Sequence, residues 1–204
     1  MFSGSLSAAP RQLLAGLRML IVMTVVLGAL FPLVVWGVGQ VAFSAKANGS
    51  QIEQNGTVVG SSLLATKFDG PQWFHPRPSA GEYDTLASGG TNLGPNSDKL
   101  VALIAERRAK VAAEDSVPGG AVAPSDVPTD AVTASFSGLD PDISPAYARQ
   151  QTARVARARG VPPERVTALV AQHTEGRQLG YLGVERVNVV TLNAALADLA
   201  ATAK

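Results

Sequence analysis

His75 and His173 are the only imidazoles in the chain. Neither has a second ligand at metal spacing: there is no H-x-x-x-H and no H-E-x-x-H, so a zinc centre lacks its ligand set and no metal site is assigned. The chain has no cysteine, which removes thiolate catalysis, disulfides and Cys-based zinc sites together. It has no G-x-S-x-G elbow and no S-x-x-K pair, and no catalytic residue is assigned. A Ser/His/Asp triad gathered from distant positions stays open, because such triads are defined by geometry and not by order in the chain. Asp140 and Asp142, within Leu139-Asp140-Pro141-Asp142-Ile143-Ser144-Pro145, are carboxylates that a glycosidase could set about 5–10 Å apart. The same segment is how a loop enters a helix, with Asp before Pro and then Ser-Pro. Acidic groups there are favoured by the helix dipole, and this second reading is preferred.

Ser88, Gly89 and Gly90, in Leu86-Ala87-Ser88-Gly89-Gly90-Thr91-Asn92, are the candidates for nucleotide binding. The segment is similar to the Ser-Gly-Gly loop of ABC-type ATPases, and successive backbone N–H groups there could cradle a phosphate. No G-x-x-x-x-G-K-[ST] accompanies it, and glycine supplies positive φ so readily that a structural turn is the preferred reading. Arg149, Arg154, Arg157 and Arg159 form a basic run that could meet acidic headgroups or a partner. Such runs are ordinarily a solvated helix face, and this one is read so.

The elements that must position these residues follow from pattern. Residues 48–68 read as β structure, with Asn55-Gly56 between Ile52 and Val58-Val59 as a hairpin turn. Asn48-Gly49-Ser50 and Asn55-Gly56-Thr57 match the glycan acceptor pattern but are read as turns. Residues 69–97 are rich in Gly, Pro, Ser and Asn and form a long loop, of the kind that carries recognition. A helix follows from Asn96 or Ser97, with Leu100, Leu103, Ile104 and Val111 on one stripe and Glu106–Lys110 as an i,i+4 pair. Residues 115–128 read as an exposed loop, and residues 127–145 are turn-rich. Ser144-Pro145 opens a helix that Gly160 closes. Pro162-Pro163-Glu164 opens another, with Val166, Leu169 and Val170 inward. The last helix starts at Asn188 or Val189, with Val189, Leu192, Leu196 and Leu199 on its buried face. The class is α+β, helices mainly late in the chain.

All of this hangs from one N-terminal apolar run. Met19–Gly39 holds 21 residues without a charge, a span of roughly 31 Å as a helix, close to the hydrocarbon thickness of a bilayer. Pro32 lies inside it, which lipid-embedded helices tolerate. Arg11 and Arg18 precede the run and only Lys46 follows closely, so the N-terminus is expected in the cytoplasm. The expected organisation is a cytoplasmic segment over 1–18, a transmembrane helix over 19–41 and one extracytoplasmic α+β domain over 42–204. Ala45-Lys46-Ala47 would suit signal cleavage, but signal h-regions are shorter than this run, so a retained single-pass anchor in the cell membrane is expected. The 204-residue chain places all 16 acidic residues and 15 of its 17 Lys and Arg after the anchor. That near-neutral balance argues against a nucleic-acid partner.

Several loop segments together resemble one family. They are Gly60-Ser61 through Phe68; Arg77-Pro78-Ser79-Ala80; Ala87-Ser88-Gly89-Gly90-Thr91-Asn92-Leu93-Gly94-Pro95; and Val132-Thr133-Ala134-Ser135 leading into Ser137-Gly138-Leu139-Asp140-Pro141-Asp142-Ile143-Ser144-Pro145. Gln150 or Gln151 then precedes Arg154-Val155-Ala156-Arg157-Ala158-Arg159, and Val187-Asn188-Val189 opens the last helix, with Leu192-Asn193 inside it. In order and extent these resemble the C subunit of the high-affinity potassium-transporting P-type ATPase, the Kdp complex. Phe136 departs from the family's glycine after Ala-Ser.

The resemblance implies a non-catalytic accessory subunit. Its implied partners are a potassium-channel-like subunit, a P-type ATPase subunit and a small single-helix subunit, with membrane lipid around the anchor. It further implies a catalytic chaperone that raises the ATP affinity of the ATPase subunit. ATP and potassium are then ligands of the whole complex, and this chain has no cofactor of its own. The partner-facing candidates are Thr24, Gly28 and Ala29 on the anchor and Arg77, Ser79, Asn92, Ser135, Gly138 and Asp140 in the domain. Small anchor residues permit close helix approach, and long loops on a rigid scaffold carry recognition. The alternatives are a membrane-anchored binding module of another envelope complex and a secreted hydrolase with an unrecognised triad.

Overall fold

The structure, a computed structural model, describes residues 9–54 and 56–202. It divides into two units, with the boundary after Ser50.

The first unit is one helical rod, Ala9–Ala42, long and apolar enough to cross a membrane. It consists of α1 (Ala9–Val25), a π turn (Val26–Leu30) and α2 (Phe31–Ala42). The rod starts ten residues before the charge-free run, so Arg11 and Arg18 are themselves helical. The π turn sits just before Pro32 for a physical reason. Proline has no N–H for the carbonyl four residues back, and its ring crowds that carbonyl. A wider turn relieves the crowding without ending the helix. Thr24 Oγ1 donates to Leu20 O at 2.8 Å, so its hydroxyl is satisfied within its own helix. The rod breaks at Phe43, and one turn follows, α3 (Ser44–Ala47). The Asn48 amide donates to Ser44 O at 2.8 Å and closes that turn.

The second unit is α+β. Its strands β1 (Gln51–Gln54) and β2 (Thr57–Ser61) form an antiparallel hairpin with Gln51 opposite Ser61 and Gln54 opposite Thr57. Of the expected Asn55-Gly56 turn, Asn55 lies outside the described residues, and Gly56 has positive φ. Residues 65–97 carry no helix or strand. Then come α4 (Asp98–Asp115), a short α5 (Thr129–Val132), β3 (Asp142–Ile143), α6 (Pro145–Arg159), α7 (Pro163–Gln172), β4 (Thr174–Glu175), β5 (Arg186–Asn188) and α8 (Val189–Thr202). β5 is the centre of a small antiparallel sheet, ordered β3-β5-β4.

The helix signals act through their expected chemistry. Ser144 Oγ accepts the Tyr147 N–H at 3.1 Å as the N-cap of α6. Gly160 ends that helix with φ +65°, a left-handed conformation that costs glycine no Cβ clash. Asn188 Oδ1 accepts the N–H groups of Val190 and Thr191, both at 3.1 Å, and so caps α8. The core joins Val155 of α6, Val166 and Val170 of α7, Val187 of β5, and Val189, Leu192 and Leu196 of α8. Each such side chain, fully buried, contributes about 1.5–3 kcal/mol from removal of apolar surface from water. Phe74 joins this core from the loop, with no surface exposed.

Three local expectations are corrected. Lys110 lies 3.8 Å from Glu114, not in a pair with Glu106, because it reaches toward the next turn. Asp140 and Asp142 do not serve the α6 terminus. Asp130 does, accepting the Ser144 N–H at 2.7 Å and its hydroxyl at 2.9 Å, while Asp140 and Asp142 each face an arginine. The basic run of α6 is solvated only in part: Arg149 and Arg157 are exposed, but Arg154 is buried, with Asp115 Oδ1 2.8 Å from its Nε.

Candidate functional site

The long loop over 69–97 and the turn-rich stretch over 127–145 are read separately in the sequence, and the structure joins parts of them into one crossed body. Ser135 N–H donates to Pro78 O at 3.0 Å, and Gly89 N–H donates to Ser137 O at 3.0 Å. The Ser88 hydroxyl donates to the same Ser137 carbonyl, also at 3.0 Å. Arg77 Nη1 meets Asp140 Oδ2 at 2.7 Å, with both side chains about a quarter exposed. The Ser135 hydroxyl accepts Gly138 N–H at 3.1 Å, and Ser137 Oγ accepts Leu139 N–H at 3.1 Å. Ser79 Oγ accepts the N–H groups of Gly81 and Tyr83, and the Tyr83 hydroxyl returns to Arg77 O at 2.8 Å. Burial pushes the Tyr83 phenol up to about 12, against the opposing pull of Arg107, so it remains a donor at neutral pH.

Gly138 is where these loops come closest. Its φ is +72°, and a Cβ there would stand 3.1 Å from both Gly89 O and Ser79 Oγ. Thus Arg77, Ser79, Ser88, Gly89, Gly90, Ser135, Gly138 and Asp140 share one neighbourhood. Asn92 is exposed with φ +53° and contributes no hydrogen bond to it. Thr24, Gly28 and Ala29 belong to the other unit. Phe136 is 84% exposed and lies over Gly90, whose missing side chain leaves room for the ring, with Phe136 Cδ2 3.4 Å from where a Cβ would stand. The Gly89 N–H, one of the groups a phosphate-cradling loop would use, is bonded to Ser137 O, and no helix starts in residues 87–95.

A second constellation, not expected as a site, holds residues 71–75 to the helices. Asn193 of α8 bonds Phe74 at both ends, its Oδ1 accepting the N–H and its Nδ2 donating to the carbonyl, each at 2.9 Å. Gln151 of α6 does the same for His75, at 2.7 and 3.1 Å. Arg154 Nη1 donates to Pro71 O at 2.8 Å and Trp73 O at 2.9 Å. Arg159 Nε donates to Gln72 O at 2.8 Å, and its guanidinium lies 4.2 Å from the Trp73 ring centre. Two amides and two guanidiniums thus give a loop the backbone partners that a neighbouring strand would supply. The signal for them was a polar residue inside an apolar helical stripe: Asn193 beside Leu192, and Gln151 and Arg154 beside Val155. A buried Asn or Gln must have partners, and a loop backbone needs both a donor and an acceptor.

His75, the last residue of this strap, opens on a cleft of about 490 Å³ that is also lined by Phe68, Ser79, Tyr83, Arg107 and Tyr147 among others. The His75 imidazole is not arranged as a base for a nucleophile: Nε2 lies 3.0 Å from Gly70 O and Nδ1 3.9 Å from Glu114. Burial, and then Arg154, hold its pKa below the ordinary imidazole value. A second cleft, of about 650 Å³, is lined by Arg77, Asp140, Asp142, Val184 and Arg186 among others. Arg186 Nε lies 3.2 Å from Asp142, and Nη2 2.7 Å from Glu175. Burial raises the Asp142 pKa, and Arg186 opposes that. Among the described residues, His75 faces a backbone carbonyl and the Glu114 carboxylate, and Asp142 faces Arg186 and the Asn188 side chain.

Residues 13–198 match the family described as KdpC, the K+-transporting ATPase c chain. The potassium-transporting ATPase KdpC subunit of Streptomyces coelicolor is 46% identical, covering 97% of this chain and 96% of the relative. That of Kineococcus radiotolerans is 52% identical over 93% and 95%, and that of Mycobacterium tuberculosis 48% over 91% and 97%. With the likeness running through the anchor, the crossed loops and the strap alike, the chain belongs to the KdpC family.

Proposed function

We propose that this chain is the non-catalytic accessory subunit of a Kdp potassium-transporting ATPase, anchored by its single helix with the N-terminus cytoplasmic and the domain outside. The observation that carries this reading is the family match across residues 13–198. The sequence offers none of the phosphoryl-transfer parts, neither a phosphate loop nor a metal cluster. Its partners are the potassium-channel-like subunit, the P-type ATPase subunit and a small single-helix subunit, with membrane lipid around the anchor.

The mechanism we favour is conformational. A subunit that binds the ATP-competent state of its partner more tightly than the other state raises ATP affinity without touching ATP. Coupling is reciprocal, so ATP should tighten the hold of this chain on the complex by the same factor. The committed Gly89 N–H supports this reading over direct nucleotide contact at residues 88–90.

The test has four arms. The tagged full chain, purified in mild detergent, should bring both large subunits with it. Depleting the chain should raise the pump's KM for ATP and leave kcat nearly unchanged, and an unchanged KM would overturn the chaperone role. A reporter active only in the cytoplasm, fused after Lys204, should be silent, and an active fusion would reverse the orientation. Replacing Gly28 and Ala29 with Leu tests whether the anchor also packs on partner helices, with lower subunit recovery expected.

A further inference from the structure

The cleft of about 490 Å³ beside His75 holds polar groups whose needs the fold does not meet. Tyr147 lines it and is only 3% exposed, yet its hydroxyl donates to no acceptor among the described residues. A buried hydroxyl in a native structure ordinarily has a partner. Burial first, and then Asp115, push the Tyr147 phenol well above its ordinary pKa, so it stays a donor. His75 poses the opposite problem. Its Nε2 lies 3.0 Å from Gly70 O, and a carbonyl can only accept, so Nε2 carries the ring proton. Burial and then the Arg154 guanidinium keep the imidazole neutral at pH 7, which leaves a lone pair on Nδ1. Nδ1 stands 3.9 Å from Glu114 Oε2, two acceptors with no proton between them. Lys110 Nζ is 3.8 Å from the other oxygen of Glu114, too far for a hydrogen bond. The cleft therefore holds a donor that lacks an acceptor and a pair of acceptors that lack a donor.

We propose that this cleft binds a free, uncharged-side-chain α-amino acid as its zwitterion, the ammonium between His75 Nδ1 and Glu114 and the carboxylate on the Tyr147 hydroxyl and Arg107. This goes beyond the accessory-subunit reading and does not depend on it. An ammonium donates to both acceptors at once, and a carboxylate accepts from the phenol. An anion alone would leave His75 and Glu114 without a donor, and a cation alone would leave Tyr147 without an acceptor. Helix α4 serves both ends of such a ligand. Arg107, Lys110, Val111 and Glu114 fall at i, i+3, i+4 and i+7, one face of that helix, and all four line the cleft. Arg107 gives Nη1 to Val132 O at 2.9 Å, and its other N–H groups have no acceptor among the described residues. The lining charges balance, Lys67, Arg107 and Lys110 against Asp69, Glu82 and Glu114, which suits a ligand of no net charge. Phe68 and Val111 offer apolar contact to its side chain.

The full chain, purified in mild detergent, is titrated by calorimetry with each uncharged L-amino acid, leucine first. At least one should bind. The matched amine without the carboxylate, and the matched carboxylic acid without the ammonium, should each bind about tenfold more weakly, the size of one lost hydrogen bond to a charged group. Tyr147→Phe removes a hydroxyl that holds nothing in the protein, so the fold is kept, and the affinity should fall about tenfold. Glu114→Gln, which takes away the charge facing the ammonium, should weaken binding by a similar factor. Should a variant melt early, the two analogues on the unaltered chain decide. No amino acid bound at millimolar concentration, an analogue lacking one charge bound as tightly as the amino acid, or unchanged affinity in both folded variants would each overturn the site.

Discussion

Residues 71–75 and residues 178–184 are both irregular and both connect to the same domain core, yet they are opposites: the first is packed on it and the second stands clear of it. The first gives up almost every backbone group to side chains of α6 and α8 and sends Phe74 inward. The second satisfies its backbone within itself and sends Leu179, Tyr181 and Leu182 outward. Lack of helix or strand therefore says nothing about whether a segment is scaffold or surface. What separates them is where the polar obligations end. Backbone bonded to distant helices is part of the fold, while a self-contained turn leaves its side chains available to another molecule.

That contrast can be broken most forcefully at Arg154. Arg154→Ala strips Pro71 and Trp73 of their donor and leaves the buried Asp115 carboxylate with the neutral Gln150 amide but no cationic partner. Loss of one member of such a buried pair costs about 3–5 kcal/mol, to be read by denaturant unfolding of the purified chain. A change below ~1 kcal/mol would mean the strap is decorative. Asn193→Ala should cost about 1–3 kcal/mol, because both polar groups of Phe74 lose their partner in a buried place. Gly138→Val extends the contrast to the crossed loops. With φ +72° and Gly89 O 3.1 Å from the new Cβ, it should cost about 1–3 kcal/mol and loosen the junction. Protease cleavage within residues 79–90 would report that loosening.

The pH dependence follows from His75. In the unfolded chain its imidazole titrates near the ordinary ~6.5, and burial holds the folded value lower. As pH falls through that window, the unfolded chain takes up its proton first, so stability present at pH 7 declines toward pH 5. His173 is shifted in the same direction by burial. His75→Gln should therefore reduce the slope of melting temperature against pH without abolishing it, and an unchanged slope would remove His75 from the account. The smallest effect belongs to the other loop. Leu179→Ser and Leu182→Ser, together, should leave unfolding free energy within about 0.5 kcal/mol per site, as exposed positions do. A large destabilisation there would make the turn scaffold after all and erase the difference between the two regions.

Sequence alone carried the long apolar N-terminal helix, the α+β class and most helix boundaries, because their causes are local. An uncharged run of bilayer length, Ser144 before Pro145, Gly160 after Arg159 and the Val189–Leu192–Leu196 stripe each act through neighbours one to four residues away. The crossed loops were legible as a set of unusual segments, but not as partners, since Pro78 and Ser135, or Gly89 and Ser137, meet only after the chain has folded. The same limit explains Arg154, read as one charge in a solvated row and found buried against Asp115, 39 residues away. Tertiary structure also decided the fate of apolar loop residues. Phe74 and Tyr181 are both aromatic residues in irregular segments, yet one is wholly buried and the other 69% exposed. No local pattern distinguishes them, because burial depends on which distant helices supply Asn193 and Gln151 to receive the backbone beneath the ring.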